Sequence, residues 1–406
     1  MLAHTKDKQN GLLISMKLLK NIMVIFTTIF LNVYIFKALD NNFNLYICGI
    51  IFTILMSEIL SLTVLRLLSK KNATIVYRLS FVVDILLIIA VLFVKMPTFP
   101  IVLIFYFLQE LSNSLFYAPH EIGEMKATDK GSANKFLAKS TIFTSLAKVI
   151  SPFLSGLTID KLSYTVLFIL VGIVAIIMFV LSFFLSDFDV KDTELKLREF
   201  GKRAFKYPHV KSFYLSFTFF RLSMGGTIYT ILPVVLFMKI GSEFSLGSYS
   251  SLFALLTIAT LMIFMNFQNK KFNIIFSTVM ISIACIMITA WTTLLSFVLF
   301  NAIYYMFEKL YENEIFSMRL NAIKVPELEN FKKEHHVFYD IFANIGYLTG
   351  YAIILLLYNL ISYANILSSI ITIIGLFIVI SAILLIKSKM QFEACKRELT
   401  KEDKEW

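Results

Sequence analysis

The 406-residue chain is 58% hydrophobic and only 16% charged, with a mean hydropathy of +0.78. A soluble domain carries about 25% charged residues, and too little of it is core to hide this much Ile, Leu and Phe, so a water-soluble fold is excluded. The net charge of +11 would suit nucleic acid, but the placement of the cations along the chain explains it as membrane topology.

A membrane-crossing helix needs about 20 apolar residues, and only helices or closed barrels satisfy their backbones in lipid. The apolar runs here are long and do not alternate, which selects helices. In chain order they predict twelve spans near 15–36, 43–66, 74–95, 98–119, 136–158, 163–186, 211–237, 245–267, 273–291, 294–316, 336–358 and 364–386. The first run is long enough to span and no small-residue cleavage site follows it, so it reads as a span rather than a removed signal.

Lys and Arg are retained on the cytoplasmic side. With the N-terminus inside, the external loops hold only Lys37, Lys95, Lys161 and Lys239 of the 38 Lys and Arg residues, and Lys148, Arg221 and Lys309 fall within spans. Both termini are therefore expected in the cytoplasm. The bias towards Lys, Asn, Ile and Phe fits an AT-rich bacterial genome and hence a bacterial plasma (inner) membrane. The cysteines, Cys48, Cys285 and Cys395, are odd in number and scattered, and give no disulfide framework or zinc spacing.

After the sixth span comes the longest non-apolar connection, Asp187 to Val210. Within it, Asp192–Lys206 carries Leu197, Phe200 and Ala204 at helical spacing. It is expected to lie along the inner membrane surface, apolar side down, with Lys196, Lys202 and Arg203 towards lipid phosphates, or else to be a solvated linker helix. The chain thus divides into a six-helix bundle over 1–190, a cytoplasmic linker with an amphipathic helix over 191–210, a second bundle over 211–388 and a cytoplasmic tail over 389–406. The halves resemble each other. Glu121 and Lys126 match Glu314 and Arg319 at one offset, and Ile150–Gly156 (ISPFLSG) matches Asn344–Gly350 (NIGYLTG) one inserted residue later. Short basic loops, Ser69-Lys70-Lys71-Asn72 and Asn269-Lys270-Lys271, follow the second and eighth spans. Repeated bundles mark transporters whose substrate site lies at mid-membrane between the halves.

These features carry a resemblance to the major facilitator superfamily over nearly the whole chain. Phe116–Pro119 (FYAP) and Ala133–Gly156 look like its macrolide-efflux and enterobactin-exporter branch. A Gly-Pro motif of the fifth span stands here as Ala147, Ser151, Pro152, Ser155 and Gly156. The resemblance implies an all-α membrane protein of twelve helices in two six-helix bundles, and that motif is associated with export. The loop after the second span keeps Ser69-Lys70-Lys71 of the family pattern, but Arg66 stands where an acid is usual. The fourth span offers Tyr106 or Glu110 where drug–proton antiporters carry an Arg.

Ionisable residues at bilayer depth cost about 2.5–3.5 kcal/mol and are functional candidates by default, with helix-locking ion pairs as the alternative. Glu58, Asp84, Glu110 and Lys148 fall near the middle of spans two to five, and Arg221 in span seven. Glu308, Lys309 and Glu312 lie in the inner part of span ten, and Asp340 in the inner third of span eleven. Glu110 and Asp84, then Asp340, are the expected proton-coupling groups, since a carboxylate in low dielectric can load and release a proton. Arg221, Lys148, Tyr106, Tyr229, Tyr305 and Glu308 are expected to meet substrate, and Lys70, Lys71 and the fifth-span motif to serve the conformational change.

His335-His336-x-x-x-Asp340 lacks the Gly after Asp that acyl-transferring enzymes need, His120-Glu121-x-x-Glu124 lacks a second zinc ligand, and no phosphate-binding GxxxxGK[ST] loop occurs. The expectation is a transporter and not an enzyme: a proton-coupled exporter of an amphipathic or hydrophobic small molecule, peptide or lipid-like compound, monomeric, in contact with membrane lipids, with no cofactor, metal or nucleic acid. A lipid or glycolipid flippase, an organic-anion importer and a non-transporting receptor or scaffold are the other readings.

Overall fold

The computed structural model describes residues 2–68, 72–128, 133–186, 195–223, 227–264, 270–360 and 366–402, which are helical with short turns and contain no strand. In chain order the helices are α1 (Leu2–Phe26), a π-helical turn (Thr27–Leu31), α2 (Asn32–Ala38), α3 (Phe43–Leu68), α4 (Ala73–Phe93), α5 (Phe99–Thr128), α6 (Ala133–Lys161) and α7 (Tyr164–Ser182). There follow α8 (Leu197–Ala204), α9 (Pro208–Leu222), α10 (Tyr229–Ile240), α11 (Glu243–Phe264), α12 (Lys270–Ala290), α13 (Leu294–Ala322), α14 (Lys332–Leu360) and α15 (Ile366–Glu402).

Local chemistry sets the breaks between them. Asn72, Ser163 and Thr293 cap α4, α7 and α13 by accepting the backbone N–H of Thr74, Val166 and Ser296 at 2.8, 3.3 and 3.3 Å. Thr293 thereby fixes the tight connection between α12 and α13. Between α2 and α3 the chain turns through Asp40 and Asn41 at φ 54° and 57°, residues whose short polar side chains tolerate the left-handed region. Gly241, at φ 70°, turns α10 into α11 without a Cβ penalty.

Ten helices among the described residues are long and apolar enough to cross a membrane by length and composition. The other two expected spans depart for identifiable reasons. α13 is long enough but carries Glu308, Lys309, Glu312, Glu314 and Arg319. The expected single span over 211–237 is described in two pieces, α9 to Leu222 and α10 from Tyr229 with Thr227 and Ile228 π-helical before it, and residues 224–226 between them lie outside the described residues. Apolar side chains such as Leu55, Ile59, Ile75, Phe93, Ile176 and Ile283 are exposed at 44% or more, as lipid contact requires.

The chain forms two compact units: Met1–Thr193 with Leu236–Ala254, and Glu194–Val235 with Leu255–Trp406. In the first, α5 packs along α3 and α4, α7 along α4, and α1 against α6. In the second, α9 packs against α14 and α15, and α12 against α13 and α15.

One expectation needs correction in the second unit. The apolar side of α8 does not face lipid: Phe200 and Ala204 are fully enclosed, and the Phe200 ring meets Phe338, Phe331 and His335 around the start of α14 at 5.0, 5.9 and 6.1 Å. The cause is a second aromatic surface, presented by the start of α14, that competes with lipid for the same face. The residues after 388, expected as a cytoplasmic tail, begin as packed helix. α15 continues as a helix, Lys389 is buried against Glu314 at 2.6 Å, and Ser212 donates to Gln391 at 2.8 Å.

Candidate functional site: two buried polar clusters

The first cluster lies inside the first unit, where α1, α4 and α5 meet. Lys20 Nζ sits 3.0 Å from both carboxylate oxygens of Asp84 and 2.7 Å from Ser112 Oγ, and Ser112 donates to Asp84 Oδ1 at 2.5 Å. All three residues are 3% exposed or less. The ammonium has three protons and here meets three acceptors, so the desolvation cost of burying it is offset by a full set of charge-assisted bonds. The Phe116 ring, one turn from Ser112 along α5, covers the ammonium at 5.5 Å.

Glu110 occupies another face of α5. Tyr106, Glu110, Asn113 and Tyr117 recur at i, i+4, i+7 and i+11, which places them on one side of the helix. Glu110 is half-buried, hydrogen-bonds the Asn113 side chain and feels the charge of Lys20. Tyr106, at the other end of the stripe, is 1% exposed; its hydroxyl donates to Asn32 Oδ1 at 3.3 Å, and its ring packs on Gly49 so closely that a Cβ there would lie 2.6 Å from the ring. Tyr106 is thus enclosed protein rather than open surface. Lys148, on α6, is exposed.

The fifth-span motif also lies in the first unit. Pro152, Ser155 and Gly156 are buried, and the segment of α11 from Glu243 to Gly247 lies directly on them. A Cβ on Gly156 would come within 2.6 Å of the Glu243 carbonyl, and one on Gly247 would collide with the Pro152 carbonyl. Beside this backbone contact Glu243 forms an ion pair with Lys37 and accepts from the Tyr164 hydroxyl at 3.2 Å. The Lys37 ammonium lies 4.7 Å from the centre of the Phe237 ring.

The second cluster is built in the second unit around the end of α9. Arg221 stands in the last turn of α9. Its guanidinium lies over the rings of Phe217 and Phe220 at 5.0 and 5.6 Å, donates to the Tyr347 hydroxyl at 3.3 Å, and pairs with Glu312 at 3.6 Å. Lys309 forms an ion pair with the same carboxylate. One turn back along α13, Glu308 is 6% exposed. Tyr305 meets Tyr229, the first residue of α10, edge to face at 5.8 Å. Two glycines of α14 allow α9 and Thr227 to approach: a Cβ on Gly346 would run into the Thr218 carbonyl, and one on Gly350 into the Thr227 hydroxyl.

The geometry therefore gathers Arg221, Tyr229, Tyr305 and Glu308 in one unit and Asp84 with Glu110 in the other. Asp340 is about 40% exposed near the start of α14 and 3.6 Å from His336. Lys70 and Lys71 lie outside the described residues, as do Asn269 and the side chains of Glu121 and Lys126. Sequence reasoning missed Lys20, because a lysine near the start of a first span is expected to reach the cytoplasm. Tyr347 and the Lys37–Glu243 pair were missed too; nothing in the sequence joins residues so far apart. His335 of the rejected acyltransferase-like motif is structural, bonded to the Tyr214 hydroxyl at 2.6 Å and to the Arg319 carbonyl at 3.1 Å.

Comparison with solved structures finds the same fold at low identity. The chain is similar to a bacterial homologue of the iron transporter ferroportin in its inward-facing state (TM-score 0.69, 11% identity, covering 96% of this chain and 99% of that one). It is similar to the POT family transporter PepTSo (TM-score 0.73, 10% identity, 95% and 98% covered). It is also similar to a bacterial homologue of the human lysosomal transporter Spinster (TM-score 0.69, 13% identity, 96% and 98% covered). No curated protein matches the sequence. The family model of the Major Facilitator Superfamily matches residues 17–310, well over half of the chain. The charged groups buried within its spans, the helical fold and this match agree: the chain is a multi-pass membrane transporter, not an enzyme, and belongs to the Major Facilitator Superfamily.

Proposed function

We propose that this transporter is a proton-coupled exporter of an amphipathic small molecule, peptide or lipid-like compound, with Glu110 as the proton carrier. The observation that carries this reading is the division of labour among the buried acids of the first unit. Asp84 is fixed by Lys20 and Ser112, whereas Glu110 sits half-buried beside that pair with the neutral amide of Asn113 as a hydrogen-bonding neighbour. A carboxylate in such a place can be loaded from one side of the membrane and emptied to the other, and its protonation biases the equilibrium between conformations by the difference in its environment. Asp84 then serves as its fixed electrostatic neighbour, and Asp340, near an end of its span, as an exchange point with water.

The amphipathic character of the substrate is supported by the second unit, where charged groups and tyrosine rings share one surface around Arg221 and Tyr229. The fifth-span motif supports export through its resemblance to exporters. The loop charges support a bacterial plasma membrane with both termini in the cytoplasm, and the working unit is taken as a monomer.

Proteoliposomes with an imposed pH gradient test this reading, using a hydrophobic dye, a lysolipid and a small organic anion as cargo. Gradient-driven movement of the dye or lysolipid is expected, with Glu110→Gln abolishing the response to the gradient and Asp84→Asn weakening it. Movement that ignores the gradient in wild type and variant alike would remove the proton and leave a facilitator or flippase.

A further inference from the structure

We propose that the outer face of α8 and the first turn of α9, with Arg198, Lys202, Lys206 and Lys211, bind the phosphate head groups of anionic lipids and so tie the start of α14 to the membrane surface.

The inner side of α8 is already occupied. Phe200 and Ala204 are enclosed, and a Cβ on Gly201 would stand 3.0 Å from the Phe338 ring. The Lys196 backbone N–H donates to Glu334 Oε1 at 2.9 Å, and the Arg203 guanidinium lies 5.5 Å from the centre of the Phe331 ring. These contacts fix the rotation of the helix, and rotation decides which residues point away from α14. Arg198 and Lys202, four residues apart on one face, are both exposed. Lys206 continues the row past the end of α8, and Lys211 stands exposed in the first turn of α9.

The row carries its charge uncompensated along the chain. Residues 196–211 hold six Lys and Arg against one acid, Glu199, and that acid pairs with Arg203 at 2.6 Å. Glu327, from the turn before α14, is hydrogen-bonded to Tyr207. The placement of the row selects the partner. α9 opens the seventh span two residues after Lys206, so the cations run into the level at which the chain passes from water into lipid. Lipid phosphates lie at that level and attract basic segments beside a span. A soluble acidic partner requires no such position. Because one side of α8 grips α14 and the other carries the cations, a head group held on the outer face also holds the helix on the inner one.

Thermal unfolding of the purified full chain is the measurement, in neutral-detergent micelles doped with phosphatidylglycerol or with phosphatidylcholine of the same acyl chains. Phosphatidylglycerol is expected to raise the unfolding temperature more than phosphatidylcholine does, and the difference should vanish at 1 M salt, where the screening length is about 3 Å. Each cation near an anionic membrane surface strengthens binding roughly fivefold, so combining Arg198→Gln, Lys202→Gln and Lys206→Gln should raise the midpoint of the phosphatidylglycerol titration about a hundredfold. All three side chains are exposed, so the variant keeps its packing. Lys95→Gln with Lys161→Gln, which removes exposed cations of the first unit, should leave the midpoint unchanged. Hydrogen exchange over residues 332–340 should slow with phosphatidylglycerol in the wild type and not in the triple variant. Equal stabilisation by the two lipids, or a titration midpoint untouched in the triple variant, overturns the proposal. So does equal stabilisation by glycerol 3-phosphate, which would mark a site for free phosphate, or tighter binding of soluble polyglutamate, which would mark a protein-docking face.

Discussion

Lys20 and Asp84, on helices 64 residues apart, meet as a bidentate ion pair with both N–O distances at 3.0 Å and neither side chain more than 4% exposed. Burial makes the pair asymmetric in its consequences: together the charges cancel, but either one alone is a bare charge in a medium that cannot solvate it. Lys20→Met is expected to destabilise the protein by about 3–5 kcal/mol, whereas Lys20→Met combined with Asp84→Leu should return most of that loss. Unfolding of the detergent-purified variants measures both. A double variant as weak as the single one would mean that the packing of the lysine stem, not its charge, matters.

That pair also marks the limit of what one sequence reveals. The spans and the break into halves follow from run length and charge, which are one-dimensional properties. The stripe Tyr106, Glu110, Asn113 and Tyr117 is likewise legible, being a spacing within one helix. Which face of a helix meets which neighbour is not. Lys20 reads as a cytoplasmic anchor until α4 supplies Asp84, and the apolar side of α8 reads as lipid-facing until the start of α14 supplies Phe338.

Glycines of the first unit separate close packing from mere flexibility. Gly11 in α1 has nothing within 4 Å of where a Cβ would stand, so Gly11→Ala should stabilise by about 0.5–1 kcal/mol through helix propensity. Gly156→Ala gains the same propensity but puts its methyl 2.6 Å from the Glu243 carbonyl and 3.3 Å from the Gly247 Cα. Backbone cannot yield as a flexible side chain does, and a loss of about 1–3 kcal/mol is expected. Thermal unfolding should move in opposite directions for the two variants. A stabilised Gly156→Ala would show that α6 and α11 are not in contact at this point.

The Lys37–Glu243 pair beside that contact should behave differently from Lys20–Asp84, because the Lys37 side chain is 42% exposed and the Glu243 side chain 15%. Solvent screening limits the worth of such a pair to about 0.2–1 kcal/mol, and added salt should reduce it. Lys37→Glu is expected to lower the unfolding temperature slightly at low salt and hardly at all at 1 M, where the screening length is about 3 Å. Adding Glu243→Lys should restore only part of the loss, since the Tyr164 hydroxyl then has no carboxylate to donate to. A salt-independent loss would point instead to the packing of the Lys37 stem on Phe237.

In the second unit, Gly346 and Gly350 face the end of α9 and Thr227 through different atoms, and the difference can be read by rescue. A methyl on Gly350 would meet the Thr227 side chain at both its hydroxyl and its methyl group (the latter at 2.9 Å), and the Leu222 carbonyl at 2.7 Å. A methyl on Gly346 would meet the Thr218 carbonyl, the Leu222 backbone nitrogen at 3.0 Å and the Arg221 Cβ at 2.9 Å. Both alanine variants are expected to lose about 1–3 kcal/mol from overpacking. Thr227→Ala should recover part of the loss for Gly350→Ala, because it removes the nearest obstruction and costs only the bond from Thr227 Oγ1 to the Arg221 carbonyl at 3.1 Å. The same change should recover nothing for Gly346→Ala, whose obstruction is largely backbone. A double-mutant cycle over the four variants measures the coupling. Equal rescue of both glycine variants, or of neither, would mean that the end of α9 and Thr227 do not pack on α14 in the way these contacts require.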